Sequence, residues 1–290
     1  MTERTLALLQ LLRLPAIFTT WSNILAAHLI ATAGHPRWGT LSLLLAASSA
    51  LYLGGMVLND CFDLEEDRRE RPGRPLPSGR IGIRTAWLAG WGLLLLGLLL
   101  AAAAGPAPLL VALPLTLAIV AYDGWLKRGP LGPVAMGLCR YLNWILGLSV
   151  APLVPASWLL PLPVLIYIWS VTTLSRMETG AAERRLLALC IGGTLAAALG
   201  LLLLVLGGIL PGYLAIPPLL LLTALLLWRQ ASLFRDPAPA RVQGTVKLML
   251  FGVIPLDALL LLAAGHGWSA LLLPLLLIPG RRLARIVYIT

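Results

Sequence analysis

Residues 40–67 read TLSLLLAASSALYLGGMVLNDCFDLEED, an apolar run that passes without a break into a cluster of acids. The apolar part is long enough to cross a bilayer as a helix, which takes about 20 residues and in practice about 17–25. The acidic part places Asp60, Asp63 and Asp67 at i, i+3 and i+7, one face of a helix, and Asn59 shares an edge of that face with Asp63 four residues on. Like charges on one stripe repel, and an ionised side chain costs about 2.5–3.5 kcal/mol at mid-bilayer on insertion scales. Something cationic has to offset them. A hard divalent ion such as Mg²⁺ suits these oxygen donors, since it commonly binds through one or two carboxylates plus substrate phosphates. The plainer alternative is a solvated polar cap whose acids pair with neighbouring arginines. That is the reading for Glu65, Glu66 and Glu70.

The rest of the chain follows the apolar run rather than the acids. Of 290 residues, 59% are hydrophobic and 12% charged, with a mean hydropathy of +0.89. Soluble domains carry about 25% charged and about 45–50% apolar residues, so this much leucine needs a second apolar solvent. Further runs lie near 15–34, 84–104, 107–122, 131–151, 158–175, 185–208, 211–228 and 246–265, with a shorter one near 268–280. The expected fold is therefore all-α: one polytopic transmembrane helix bundle over residues 1–290, with nine or ten spans. Residues 3–13 read as an interfacial helix leading into the first span, because Arg13 interrupts the apolar run and no small-residue cleavage signal follows.

The +10 net charge does not point to nucleic acid, because the cations sit in the short breaks between runs. Segment 60–84 carries Arg68, Arg69, Arg71, Arg74, Arg80 and Arg84. Lys127, Arg128, Arg176, Arg184, Arg185, Arg229, Arg235, Arg241 and Lys247 fall on the same side, whereas the opposite loops hold Arg37 alone. The positive-inside rule makes the charged side cytoplasmic. Arg281 and Arg282 join it if residues 268–280 return across the membrane. Cys61, Cys139 and Cys190 show no metal-ligand spacing and read as packing residues. Acidic segments end both the second and the sixth run, which hints at an internal duplication.

Downstream of the stripe runs RRERPGRPLPSGR, residues 68–80. Arginines beside a metal-binding stripe suit a diphosphate, whose oxygens accept forked, charge-assisted hydrogen bonds; Arg71 and Arg74 are the candidates. NDxxDxxxD at 59–67 followed by RPxRPLPSG at 71–79 resembles the first motif of the UbiA superfamily of intramembrane prenyltransferases. Leu12-Arg13-Leu14-Pro15, Asn23, and Tyr122-Asp123 with Lys127 fit the same resemblance in order and spacing. It implies that Asn59, Asp60, Asp63 and Asp67 hold Mg²⁺ and the diphosphate of a polyprenyl donor, that Lys127 touches that diphosphate, and that the isoprenoid tail lies between helices. The allylic C–O bond would ionise and a small, electron-rich acceptor, an aromatic one among the candidates, would attack the cation. Tyr122, Tyr141 or Trp144 are aromatic faces able to stabilise that cation, or are simply packing.

The chain departs from the family in its second half. Members carry aspartates four residues apart after the sixth span, whereas Leu174 and Ala182 flank Glu178 at that spacing. Glu183 is five residues on and points about 140° away on a helix. Only Glu178 remains as an acid, with Ser175 and Arg176 beside it; Arg176 is a candidate replacement for a second metal ion. Asp123 is either a further carboxylate of the site or a structural partner of Lys127. This variant, together with YDGxLKRxPLGPxAMGxCRxLN at 122–143, resembles the UbiA-like EboC branch, which implies a role in secondary-metabolite biosynthesis. Arg140 and Asn143 would then face the cavity; a charge inside a span is by default a site residue, though an arginine can also snorkel. Asp257 reads either as a site residue or as a helix-to-helix hydrogen bond. Two functions remain open: prenyl transfer, or a non-catalytic carrier or export component for a lipid-like precursor.

Overall fold

The computed structural model describes residues 3–178 and 183–286, and among them every regular element is helical. Helix α1 (Glu3–Leu12) precedes a tight turn at Leu14–Ala16. Then follow α2 (Ile17–Ala31), α3 (Trp38–Phe62), the short α4 (Leu64–Glu70), α5 (Ile83–Ala104) and α6 (Pro106–Ala121). The second half holds α7 (Gly132–Leu148), α8 (Pro155–Leu159), α9 (Leu162–Ser175), α10 (Arg184–Leu206), α11 (Ile216–Ala231), α12 (Pro239–Phe251) and α13 (Val253–Ala263). The C-terminal pieces are α14 (Gly267–Leu272) and α15 (Leu277–Ile286).

Among the described residues, eight helical segments are long and apolar enough to cross a membrane: Leu14–Ala31, Trp38–Phe62, Ile83–Ala104, Pro106–Leu126, Pro155–Ser175, Arg184–Leu206, Tyr213–Phe234 and Pro239–Ala263. They match eight of the apolar runs. The run at 131–151 forms α7, which has 17 residues and packs inside the bundle against α2, α6 and α9. The tenth stretch is broken into α14, a short tight turn and α15, with no single piece long enough to span. It nonetheless runs back along α2. Gly34, beyond one end of α2, abuts His266, while Gly280 packs against Phe18 and the Pro15 carbonyl at the other end.

The strongest helix pairing, α3 with α5, shows how the bundle closes without a hydrophobic driving force between helices. Small residues let the backbones approach, as in membrane helix packing generally. Gly90 and Gly97 of α5 receive Leu58 and Leu51 of α3, and a Cβ at Gly97 would stand 2.6 Å from Leu51 Cγ. This packing holds α3 upright, so its acidic C-terminus emerges at the same end of the bundle as the start of α2 and the end of α6. Gly97→Leu is therefore expected to cost about 1–3 kcal/mol through overpacking. Thermal unfolding of the purified protein in detergent checks this, with the lipid-facing Gly92, where a Cβ meets nothing, as the tolerant control.

Candidate active site

Helix α3 ends at Phe62 and α4 starts at Leu64, with Asp63 at the break between them. That break divides the stripe. Asp60 and Asp67 are both buried, and Arg74 serves them together: Nη1 is 2.6 Å from Asp67 Oδ2 and 3.7 Å from Asp60 Oδ1. Arg13 Nη2 completes the pair, donating to Asp60 Oδ1 at 2.7 Å. Asp63 turns the other way. Its Oδ1 lies 2.7 Å from Lys127 Nζ, an ion contact rather than an aligned hydrogen bond, and 3.4 Å from Arg128 Nη2. Asn59 Nδ2 donates to Asp123 Oδ1 at 2.8 Å, so Asp123 bonds Asn59 and not Lys127. Sequence reasoning did not single out Arg13 for the site. Its signal was a lone arginine between an interfacial helix and the first span, and the backbone there is left-handed (φ 45°), a rare conformation for a side-chain-bearing residue.

The Tyr122–Leu126 turn is wide, with the Lys127 amide donating to the Tyr122 carbonyl at 3.0 Å, five residues apart. Such π turns cluster at functional sites because they re-aim side chains. Here the turn puts Tyr122 and Asp123 in the wall of a cavity and Lys127 against Asp63. Arg176 follows a different course from the stripe's cations. Its Nη2 donates to the Gly129 carbonyl and, at 3.3 Å, to that of Lys127, tying α9 to the loop after α6. Glu178 sits near Arg71 and Lys247; burial raises its pKa against the pull of those cations. The Ala182 position lies outside the described residues.

Two cavities meet at Arg13, which lines both. The outer one, about 340 Å³, has Asp60, Arg71 and Arg74 in its wall. The inner one, about 280 Å³, descends between α2, α3, α6, α7, α9 and α12, with Tyr122, Asp123 and Ser175 in its lining. Leu51, Met56, Leu115, Ile119, Ile168 and Val171 make its walls apolar, while Ser48, Tyr52, Arg140 and Asn143 are polar members of the lining. Among the three aromatics considered for cation stabilisation, Tyr122 alone lines the cavity; Trp144 donates to Asp257 and Tyr141 to the Trp158 carbonyl. Asn23 is not in the lining. It donates to Asp257 Oδ2 at 2.7 Å, so Asp257 is a helix-to-helix hydrogen-bond hub. Arg140 is 8% exposed and does not snorkel out.

The donor set can be tested against Mg²⁺ directly. Among the described residues, no three carboxylate, histidine or cysteine side chains converge on one metal position. The division of the stripe at Asp63 is the physical reason. A closed protein cage is thus not built, whereas an ion held by one or two carboxylates and completed by phosphate oxygens fits.

Removing Arg74 leaves two buried acids with one cation between them. Arg74→Met is expected to lower stability by about 1–3 kcal/mol, the cost of an unsatisfied buried polar group, and far less when combined with Asp67→Asn; a double-mutant cycle read by thermal unfolding checks the coupling. For Glu178, the folded state holds its proton above the ordinary value of 4.5. The unfolded chain therefore ionises first, and stability falls as pH rises through the window above 4.5. Glu178→Gln is expected to flatten that slope in a pH series of unfolding midpoints.

Residues 20–253 match the model of the UbiA prenyltransferase family. The digeranylgeranylglyceryl phosphate synthase of Metallosphaera sedula is 43% identical over 75 residues, 26% of each chain. That of Methanococcoides burtonii is 32% identical over 141 residues, 47% of this chain and 50% of the other. The chain thus spans only about a quarter to a half of the length of these curated relatives. In fold the similarity is broader: a UbiA homologue from Archaeoglobus fulgidus bound to GPP and Mg²⁺ superposes with a TM-score of 0.63 at 16% identity, over 91% of this chain and 99% of that one. With four-fifths of its length inside the family model, and with the fold to match, this chain belongs to the UbiA prenyltransferase family.

Proposed function

We infer that the protein binds a polyprenyl diphosphate with Mg²⁺ at the Asn59–Asp67 stripe and transfers its prenyl group to a small acceptor. The observation that carries this is a cavity walled by Arg13, Asp60, Arg71 and Arg74 that meets an apolar one at Arg13, with Asp63, just beyond Asp60 in the chain, 2.7 Å from Lys127. The Archaeoglobus relative's GPP and Mg²⁺ support the same class of donor, and the named synthases support transfer to an acceptor. Following the resemblance of residues 122–143 to the EboC branch, the acceptor belongs to secondary-metabolite biosynthesis. Following the positive-inside rule, the stripe faces the cytoplasm.

Bound Mg²⁺ supplies charge neutralisation for the leaving diphosphate. The chain's own residues do the rest. Arg13, Arg74 and Lys127 now hold Asp60, Asp67 and Asp63, and each can turn from its carboxylate to phosphate oxygens, with Arg71 beside them in the outer cavity. The apolar walls take the isoprenoid tail and exclude water from the allylic carbon. When the C–O bond breaks, its electron pair leaves with the diphosphate. Tyr122 presents an aromatic face to the cation, the acceptor forms the new bond to it, and the acceptor's proton is lost. Arg176 contributes by fixing the loop that carries Lys127, which is a positioning role. Ser175 lines the cavity where a family member's second acidic motif would begin, and Glu178 supplies that motif's single acid.

Calorimetry with geranyl diphosphate tests the binding half. Affinity is expected to require Mg²⁺, to vanish with EDTA, and to fall at least about tenfold in Asp63→Asn, one charge-assisted interaction's worth. Diphosphate release in the presence of an acceptor panel then separates the functions. Release that depends on Asp63 and Glu178 supports transfer. Metal-dependent binding with no release for any acceptor supports the carrier reading, which the lone Glu178 favours. Absence of binding in the wild type sinks both.

A further inference from the structure

The inner end of the cavity is polar in a way that the donor's hydrocarbon tail does not explain. Arg140 stands there, more than nine-tenths buried and part of the lining. Its Nη2 donates to Thr19 Oγ1 at 2.9 Å and its guanidinium lies over the Tyr52 ring, 5.9 Å from the centroid. Its Nη1 has no hydrogen-bond partner. The nearest candidate counter-ion, Asp257, is committed elsewhere: Ser22 and Asn23 donate to Oδ2 and Trp144 to Oδ1, and it forms no ion pair with Arg140 within 4 Å among the described residues. A buried guanidinium with donors to spare and no direct anion is costly unless something else supplies the anion. Asn143, one turn further on the same helix, also lines the cavity; its Oδ1 accepts from Ser48 at 2.7 Å, while its Nδ2 holds long contacts at 3.2 and 3.4 Å.

We propose that Arg140, with Asn143 and Tyr52, forms a subsite for a small anionic group, carboxylate or phosphate, carried by the second substrate. The proposal rests on the transfer reading for the word substrate, but the anion site stands on its own geometry. Depth sets the ligand's shape. Arg140 lies eight residues into α7 and Tyr52 eight residues before Asp60 on α3, so each places the subsite about 12 Å from the mouth at 1.5 Å per residue. The donor's diphosphate occupies the mouth and its first carbon hangs just below. The second substrate therefore carries its nucleophile at one end and its anionic group at the other, with an apolar body between that suits Leu51, Ile119 and Val171. In walls of low dielectric an unpaired guanidinium discriminates strongly between an anion and a neutral group of the same size.

Three water-soluble probes of one chain length test this on the purified full chain: hexanoate, hexyl phosphate and hexan-1-ol, titrated by calorimetry. The wild type is expected to bind at least one anion about tenfold more tightly than the alcohol, as one charge-assisted contact gives; the tighter of the two anions identifies the headgroup. Arg140→Gln is expected to erase the preference, and Lys127→Gln, at the mouth, to keep it. If Arg140→Gln does not fold, Arg140→Lys, which keeps the charge and loses the fork, must weaken the anions more than the alcohol. No anion preference in the wild type overturns the proposal, as does a preference that survives Arg140→Gln or disappears in Lys127→Gln. Geranyl diphosphate with Mg²⁺ in the same preparation keeps the two readings apart. If it binds while the anion preference is absent, the subsite alone falls; if it fails to bind while the preference persists, the transfer reading alone falls.

Discussion

Asp60 and Arg13 lie 2.7 Å apart at the end of an apolar helix, and the need expressed in that contact organises the whole active end. Carboxylates on the last turn of α3 cannot stay ionised beside hydrocarbon unless cations reach them. Each cation comes from a different segment: Arg13 from the turn before the first span, Arg74 from the loop after α4, Lys127 from the wide turn after α6. Satisfying one stripe thus fixes the relative positions of α2, α3, α6 and the 71–80 loop at one membrane surface. The same arrangement leaves basic groups poised over the mouth, where a diphosphate offers them richer acceptors than a carboxylate does. On the proposed reading, a stability requirement and a binding site are one structure here.

Much of this was legible in the sequence, because period and composition are local. The runs around 40–59 and 84–104 became α3 and α5 within a few residues, since nothing but a helix satisfies backbone groups in hydrocarbon. The stripe at Asp60, Asp63 and Asp67 and the cavity-facing Arg140 and Asn143 were also readable, and Lys127, named through the family resemblance, does lie beside Asp63. What escaped depends on which distant segment supplies a partner. Periodicity treats Asp60, Asp63 and Asp67 as equivalent; the chain bends at Asp63 and gives them different partners. Asn23, named through the family resemblance, and Trp144, read as either a cation-stabilising face or packing, both turn to Asp257, a carboxylate more than a hundred residues away from either. The broken C-terminal crossing was unreadable for a related reason: Pro274 and Pro279 interrupt a run too short to declare itself a span.

The second half of the site shows what a substitution in a motif does to geometry. Where relatives of this resemblance carry two acids, Arg176 occupies the ground between α9 and the 127–131 loop, spending its guanidinium on backbone carbonyls. Gly132 lies close enough that a Cβ there would meet Arg176 Nη2 at 2.8 Å. Arg176 thus ties α9 to the 127–131 loop through backbone carbonyls. Beside it, Glu178 sits near Arg71 and Lys247.

A site asymmetric in this way concentrates its demands on the first stripe and on the cavity floor. At the mouth, charge is abundant and mutually compensated, with Asp60, Asp63 and Asp67 each facing a cation, so on the proposed reading it takes any diphosphate and contributes little selectivity of its own. Twelve ångströms in, by the helical rise, charge is scarce: one guanidinium, one amide, one phenol ring, enclosed by leucine, isoleucine and valine. Electrostatic discrimination grows as the dielectric falls, so the few polar groups at the floor decide more about which molecule enters than the many at the rim. On the proposed reading, the arginines of the charged end anchor the stripe and hold the donor, and the arginine buried in α7 selects the other substrate.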